Sequence, residues 1–138
     1  MNQLKKGKGD QLGSHPVNLA VRFLLEISGL AALGFWGWKQ GEGGFRIIPA
    51  IGIPVLAAAI WGTLAVPEDP SRSGKAPVPV PGIFRLVIEA AFFSFVAWSL
   101  YKTTGLLLCS IFSIVTIIHY AVSYDRILWL IKHKRVKN

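Results

Sequence analysis

Four stretches of the chain are apolar on every side: residues 17–38, 45–66, 83–101 and 106–124. Each is close to the ~20 residues that a helix needs to cross a bilayer. Polar and apolar residues do not alternate within them, so a membrane β-strand is excluded. With no water in hydrocarbon to satisfy the backbone, helix is the expected state of each run. Residues 39–44 and 102–105 are glycine-containing turns of hairpin length. Residues 67–82 are longer and hold Pro67, Pro70, Pro77, Pro79 and Pro81. Each proline blocks helix continuation, which predicts an extended linker.

The pattern predicts an all-α membrane protein with four transmembrane helices as two hairpins in parallel pseudo-repeat. Its divisions are a polar tail (1–16), a first hairpin (17–66), a Pro-rich linker (67–82), a second hairpin (83–124) and a basic amphipathic tail (125–138). The first run is too long for a cleaved signal peptide and lacks the small-residue exit of one.

Composition narrows the classes further. The chain is 52% hydrophobic and 16% charged, yet its net charge is +8. Soluble domains carry about 25% charged residues. Disordered chains lack apolar residues on this scale, and one cysteine, Cys109, builds no disulfide scaffold. The position of the basic residues gives the charge its meaning. Of the 15 Lys and Arg, ten lie in the two tails and the linker, three (Lys39, Arg46, Lys102) lie at the short turns, and Arg22 and Arg85 lie inside spans. That bias predicts cytoplasmic termini. Trp36, Trp38, Trp98 and Tyr101 then mark the outer interface, and Trp61, Tyr120, Tyr124 and Trp129 the inner one. The peripheral charge attracts anionic lipid headgroups, at about 1 kcal/mol per juxtamembrane Lys or Arg. Residues 125–135 are expected to continue helically along that surface. No nucleic acid is expected as a partner, because no aromatic residues are interleaved for base stacking.

The interior charges carry the candidate chemistry. Arg22 and Glu26 open the first span, and Arg85 and Glu89 open the third. An ionised side chain at mid-membrane costs about 2.5–3.5 kcal/mol. A spacing of four puts each pair on one helix face. At about 1.5 Å per residue, Arg22 lies roughly 8 Å and Glu26 roughly 14 Å from the cytoplasmic edge. His119 is level with Arg22, Trp61 reaches a similar depth, and Tyr120, Asp125 and Arg126 follow just below. These nine residues form the candidate ligand-binding or ion-pair cluster. One reading is an ion-pair lock between the hairpins. The other is a polar cavity, open to the cytoplasm, that binds a ligand or relays protons. No metal is expected: His15 and His133 lie in the tails, and Cys109 lies in the outer half of the fourth span. No cofactor motif or nucleophile elbow is present, so no cofactor and no enzymatic activity are expected. Small residues at close spacing (Ser28, Ala32, Gly34; Ala58, Gly62; Ala90, Ser94) let helices approach. Pro49 and Pro54 flank Gly52 in the second span, where proline can kink a helix.

The strings Val17-Asn18-Leu19-Ala20-Val21-Arg22-Phe23-Leu24-Leu25-Glu26 and Ala31-Ala32-Leu33-Gly34-Phe35-Trp36-Gly37-Trp38 resemble the YrdB family of small bacterial membrane proteins. The resemblance continues through Ala50-Ile51-Gly52-Ile53-Pro54 and Trp61-Gly62-Thr63. It returns at Arg85 to Glu89 and at His119-Tyr120-Ala121-Val122-Ser123-Tyr124-Asp125-Arg126. It implies four spans in the bacterial cytoplasmic (inner) membrane and carries over no catalytic residue. The expectation is a membrane protein that binds a small ligand, a lipid headgroup or a partner subunit at the charged cluster. A proton-coupled transporter is the alternative, and with only four spans it needs an oligomer. A structural lock in an assembly subunit is the third reading. A homodimer or a partner membrane protein is the expected macromolecular contact.

Overall fold

Pro16 opens the first helix, where its missing N–H costs nothing, and His15 caps it by accepting the Val17 backbone N–H. A computed structural model describes residues 15–69 and 75–132 of the chain. Over these, the helices are α1 (Pro16–Trp38), α2 (Ile47–Thr63), α3 (Gly82–Thr104), α4 (Leu106–Val122) and α5 (Tyr124–Lys132). A short 3-10 turn, Gly43–Arg46, leads into α2. Three helical stretches, Pro16–Trp38, Gly43–Thr63 and Gly82–Thr104, are long and apolar enough to cross a membrane. The pair α4 and α5, bent by 67° at Ser123, makes a fourth if counted as one broken span.

The antiparallel neighbours are α1 with α2 and α3 with α4, and α1 also packs on α3. Glycine permits the closest of these contacts. A Cβ on Gly37 would lie 2.3 Å from the Pro49 carbonyl oxygen, so α1 and α2 touch there backbone to backbone. Gly105 has φ +91, a conformation open to glycine, and it alone separates α3 from α4. The third helix thus runs through the expected turn at 102–104.

The core between α1, α3 and α4 is small: Leu25, Ala32, Leu33, Phe93, Val96 and Phe112. Most large apolar side chains point outward, and α2 buries none of its residues. In water that surface would be untenable for a monomer. In hydrocarbon it costs nothing, and helices associate through close packing and polar contacts instead.

The segment expected to be an extended linker folds back on the bundle. Leu64–Ala65 (β1) pairs in parallel with Val78–Pro79 (β2), and Val80 donates its N–H to the Ala65 carbonyl. Val66 and Val80 then close a second small core with Leu130 of α5. The second span accordingly ends as helix at Thr63, because residues 64–65 take up this pairing. Gly82 lets α5 settle here, since a Cβ on it would lie 1.7 Å from the Leu130 carbonyl oxygen. The N-terminal tail through Ser14, Arg72 within the linker, and the basic residues from His133 onward lie outside the described residues.

Candidate functional site

Asn18, Arg22 and Glu26 recur every fourth residue along α1, and Arg85, Glu89 and Phe93 do the same along α3. Such spacing gives each helix one polar stripe that faces its neighbour, running into the apolar core at the far end. The two Arg-x-x-x-Glu pairs have one local geometry: Arg Nε lies 3.1 Å from Glu Oε1 in both. Their surroundings differ greatly.

Glu89 is the hub. Its Oε1 accepts hydrogen bonds from Arg85 Nε at 3.1 Å, from Arg22 Nη2 at 2.8 Å and from Arg126 Nη2 at 2.7 Å. Its Oε2 accepts from the Tyr120 hydroxyl at 2.6 Å and from Arg126 Nη1 at 3.0 Å. Arg126 is held from its other side by Asp69, through Nε to Oδ1 at 3.0 Å and Nη2 to Oδ2 at 2.7 Å. Arg85 also donates through Nη1 to the carbonyls of Trp61, in the last turn of α2, and Leu64, just beyond its end. The guanidinium carbons of Arg85 and Arg22 lie 4.3 and 5.4 Å from the Trp61 ring centroid. The hub therefore joins α1, the end of α2, α3, α4, the linker and α5.

The charges balance. Arg22, Arg85 and Arg126 face Glu26, Asp69 and Glu89. The three arginines, Asp69 and Glu89 are all buried to within 4% of full. Charges removed from water this completely are tolerable only when paired and hydrogen-bonded. Glu26 is the exception: its side chain stays 23% exposed and is bonded by Arg22 alone among the arginines. It lines a cavity of about 80 Å³ with Ile27, Leu30, Ala58, Trp61 and Phe92.

Of the predicted cluster, Arg22, Glu26, Trp61, Arg85, Glu89, Tyr120 and Arg126 come together. His119 is buried but belongs to a separate polar contact. Asn18 Nδ2 donates to Ser123 Oγ at 2.7 Å, which leaves Asn18 Oδ1 to accept from His119 Nδ1–H at 2.9 Å. Asp125 is half-buried in the first turn of α5, and the carboxylate that chelates Arg126 is Asp69. Sequence reasoning missed three groups. Asn18 and Ser123 were visible as the i−4 and i+4 neighbours of Arg22 and His119. Asp69 sits between prolines in a segment that reads as loop, and no local signal marks it. Among the described residues, no group of three or more His, Cys, Asp or Glu could hold a metal ion.

Chemically, the hub is a saturated acceptor. Each carboxylate oxygen of Glu89 is occupied by two or more donors, so it offers no open position to a reactant. The apolar grooves lie elsewhere. One of about 580 Å³ runs between α2 and α3, past Trp61 and Phe92. Two others, of about 440 and 530 Å³, line the junction of α1 and α4.

Residues 20–117 match the family described as Protein of unknown function (DUF2568). The chain is similar to the Uncharacterized protein YrdB of Bacillus subtilis (strain 168), 38% identical over 114 residues, which span 83% of this chain and 93% of that protein. No solved structure matches.

Proposed function

The chain belongs to the DUF2568 family, described as of unknown function, and from that premise we propose that it is a non-enzymatic, multi-pass membrane protein whose Arg/Glu cluster is an ion-pair lock. The lock clamps two helical hairpins, the linker and α5 into one unit, with both termini on the cytoplasmic side of the bacterial inner membrane. The observation that carries this reading is Glu89, buried and bonded at once by Arg22, Arg85, Arg126 and Tyr120. A group that relays protons or releases a ligand must exchange partners. One held by five hydrogen bonds in a neutral, closed cluster is set to hold geometry. The outward apolar surface, including the whole of α2, supports the membrane setting. The pseudo-repeat of the hairpins is supported by the matching Arg-x-x-x-Glu geometry at equivalent places in α1 and α3.

The reading is tested by thermal unfolding of Glu89→Gln in detergent beside a proton-flux assay in liposomes. A lock gives a large loss of thermal stability and no protein-dependent flux in the wild type. A transport role gives the opposite: flux in the wild type that vanishes in a variant that still folds.

A further inference from the structure

Glu26 does not fit the lock as the other two carboxylates do. Glu89 and Asp69 are 1% exposed and held by several donors, whereas Glu26 is 23% exposed and shares Arg22 with Glu89. The Trp61 side chain reaches the same carboxylate. Arg22, Arg85 and Arg126 crowd around Glu89, which leaves Glu26 on Arg22 and Asp69 on Arg126 as the outer carboxylates, and of these two Glu26 is the negative end that stays partly exposed. That negative end lines a small cavity between α1, α2 and α3. The cavity shares Trp61 and Phe92 with the apolar groove of about 580 Å³ between α2 and α3.

We propose that Glu26 is the anchoring carboxylate of a binding site for a lipophilic monocation, an ammonium with an apolar body. The head occupies the cavity beside Glu26, and the body lies along the α2/α3 groove. The cavity, about 80 Å³, takes two to three water-sized groups at about 30 Å³ each, which is an ammonium and its first methylenes. An anion would face the Glu26 charge. A metal ion would find one carboxylate and otherwise the carbon surfaces and indole of Ile27, Leu30, Ala58, Phe92 and Trp61. An apolar molecule would bring no charge to the partly exposed Glu26 carboxylate. Only a cation with an apolar body matches both parts. Intramembrane ionisable groups held at such cost mark ligand or ion sites. The inference rests on the membrane setting proposed above and uses the geometry of the cluster, though not its role as a lock.

The test uses the full chain in nanodiscs of neutral phosphatidylcholine, titrated calorimetrically with hexylammonium and with hexanol as the uncharged control. The expected result is saturable one-to-one binding of hexylammonium and none of hexanol. Glu26→Gln should weaken binding by about tenfold or more, the scale of one charge-assisted hydrogen bond. Ala58→Leu fills the cavity while leaving the carboxylate, and should weaken binding to the same degree. Absence of saturable binding to the wild type overturns the proposal, as does equal binding of the two ligands. Should Glu26→Gln fail to fold, undiminished affinity in Ala58→Leu overturns it alone. Helical, monodisperse protein in the nanodiscs checks the membrane setting separately, and the melting of Glu89→Gln checks the lock without any ligand.

Discussion

Replacing Glu89 with glutamine removes one negative charge and almost no volume, and it tests the hub directly. Five hydrogen bonds end on this carboxylate. Glutamine keeps one acceptor oxygen and turns the other into an NH2 donor, which must face either three guanidiniums or the Arg126 Nη1 and Tyr120 hydroxyl donors. Arg22 retains Glu26 and Arg126 retains Asp69, so one uncompensated positive charge stays buried. Breaking a buried pair in this way costs about 3–5 kcal/mol. At about 3 °C per kcal/mol for a chain of this size, the loss in melting temperature is roughly 10–15 °C. The assay is thermal unfolding in detergent followed by tryptophan fluorescence, with Glu42→Gln at an exposed turn as the control that should not shift. A matched double variant sharpens the test. Arg85→Met with Glu89→Gln removes one charge of each sign and leaves Arg22–Glu26 and Arg126–Asp69 in place. It should be less destabilised than the sum of its single variants, with a coupling of about 1 kcal/mol or more. A Glu89→Gln protein that melts within about 2 °C of the wild type would refute the electrostatic reasoning.

Three further outcomes follow from close contacts at Gly82, Gly37 and Arg126. Gly82→Ala places a methyl 1.7 Å from the Leu130 carbonyl oxygen and should lift α5 off the bundle. With Cys109→Ser and Leu130→Cys as reporter, alkylation of the buried cysteine should accelerate sharply, and an unchanged rate contradicts the packing. Gly37→Ala meets the Pro49 carbonyl at 2.3 Å and should cost about 1–3 kcal/mol by overpacking, whereas Gly52→Ala, with nothing within 4 Å, should be neutral or stabilising in the same melting assay. Arg126→Lys keeps the charge but loses the planar fork that binds Asp69 and Glu89 together. It should cost about 1–3 kcal/mol, and full stability would show that charge alone suffices at this position.

In the proposed reading, the lock and the Glu26 cavity divide the work of one charged cluster. A neutral set of three arginines and three carboxylates is needed before any of them can be tolerated among apolar helices. Gathering all three arginines around Glu89 leaves Glu26 and Asp69 at the edges, on Arg22 and Arg126, and Glu26 is the one that stays partly exposed. The stability of the hub and the availability of Glu26 are thus two consequences of the same distribution of donors.

The features legible along the chain are local in origin. The four apolar runs, their helical state and the shared face of each Arg-x-x-x-Glu pair follow from helix periodicity and from the cost of unpaired backbone in hydrocarbon. Asn18, Arg22 and Glu26 must line up on any helix that contains them. Family membership was legible too, in strings spread over most of residues 17–132. The tertiary structure decided which carboxylate becomes the hub. Glu89 wins because Arg22, Arg126 and Tyr120 converge on it across separations of 67, 37 and 31 residues. It also decided that Arg126 closes on Asp69, 57 residues away, and that His119 bonds Asn18. Those outcomes depend on where the linker turns back and how steeply α5 bends. Such long-range closures are set by backbone contacts such as Gly82 on Leu130, and no residue spacing encodes them.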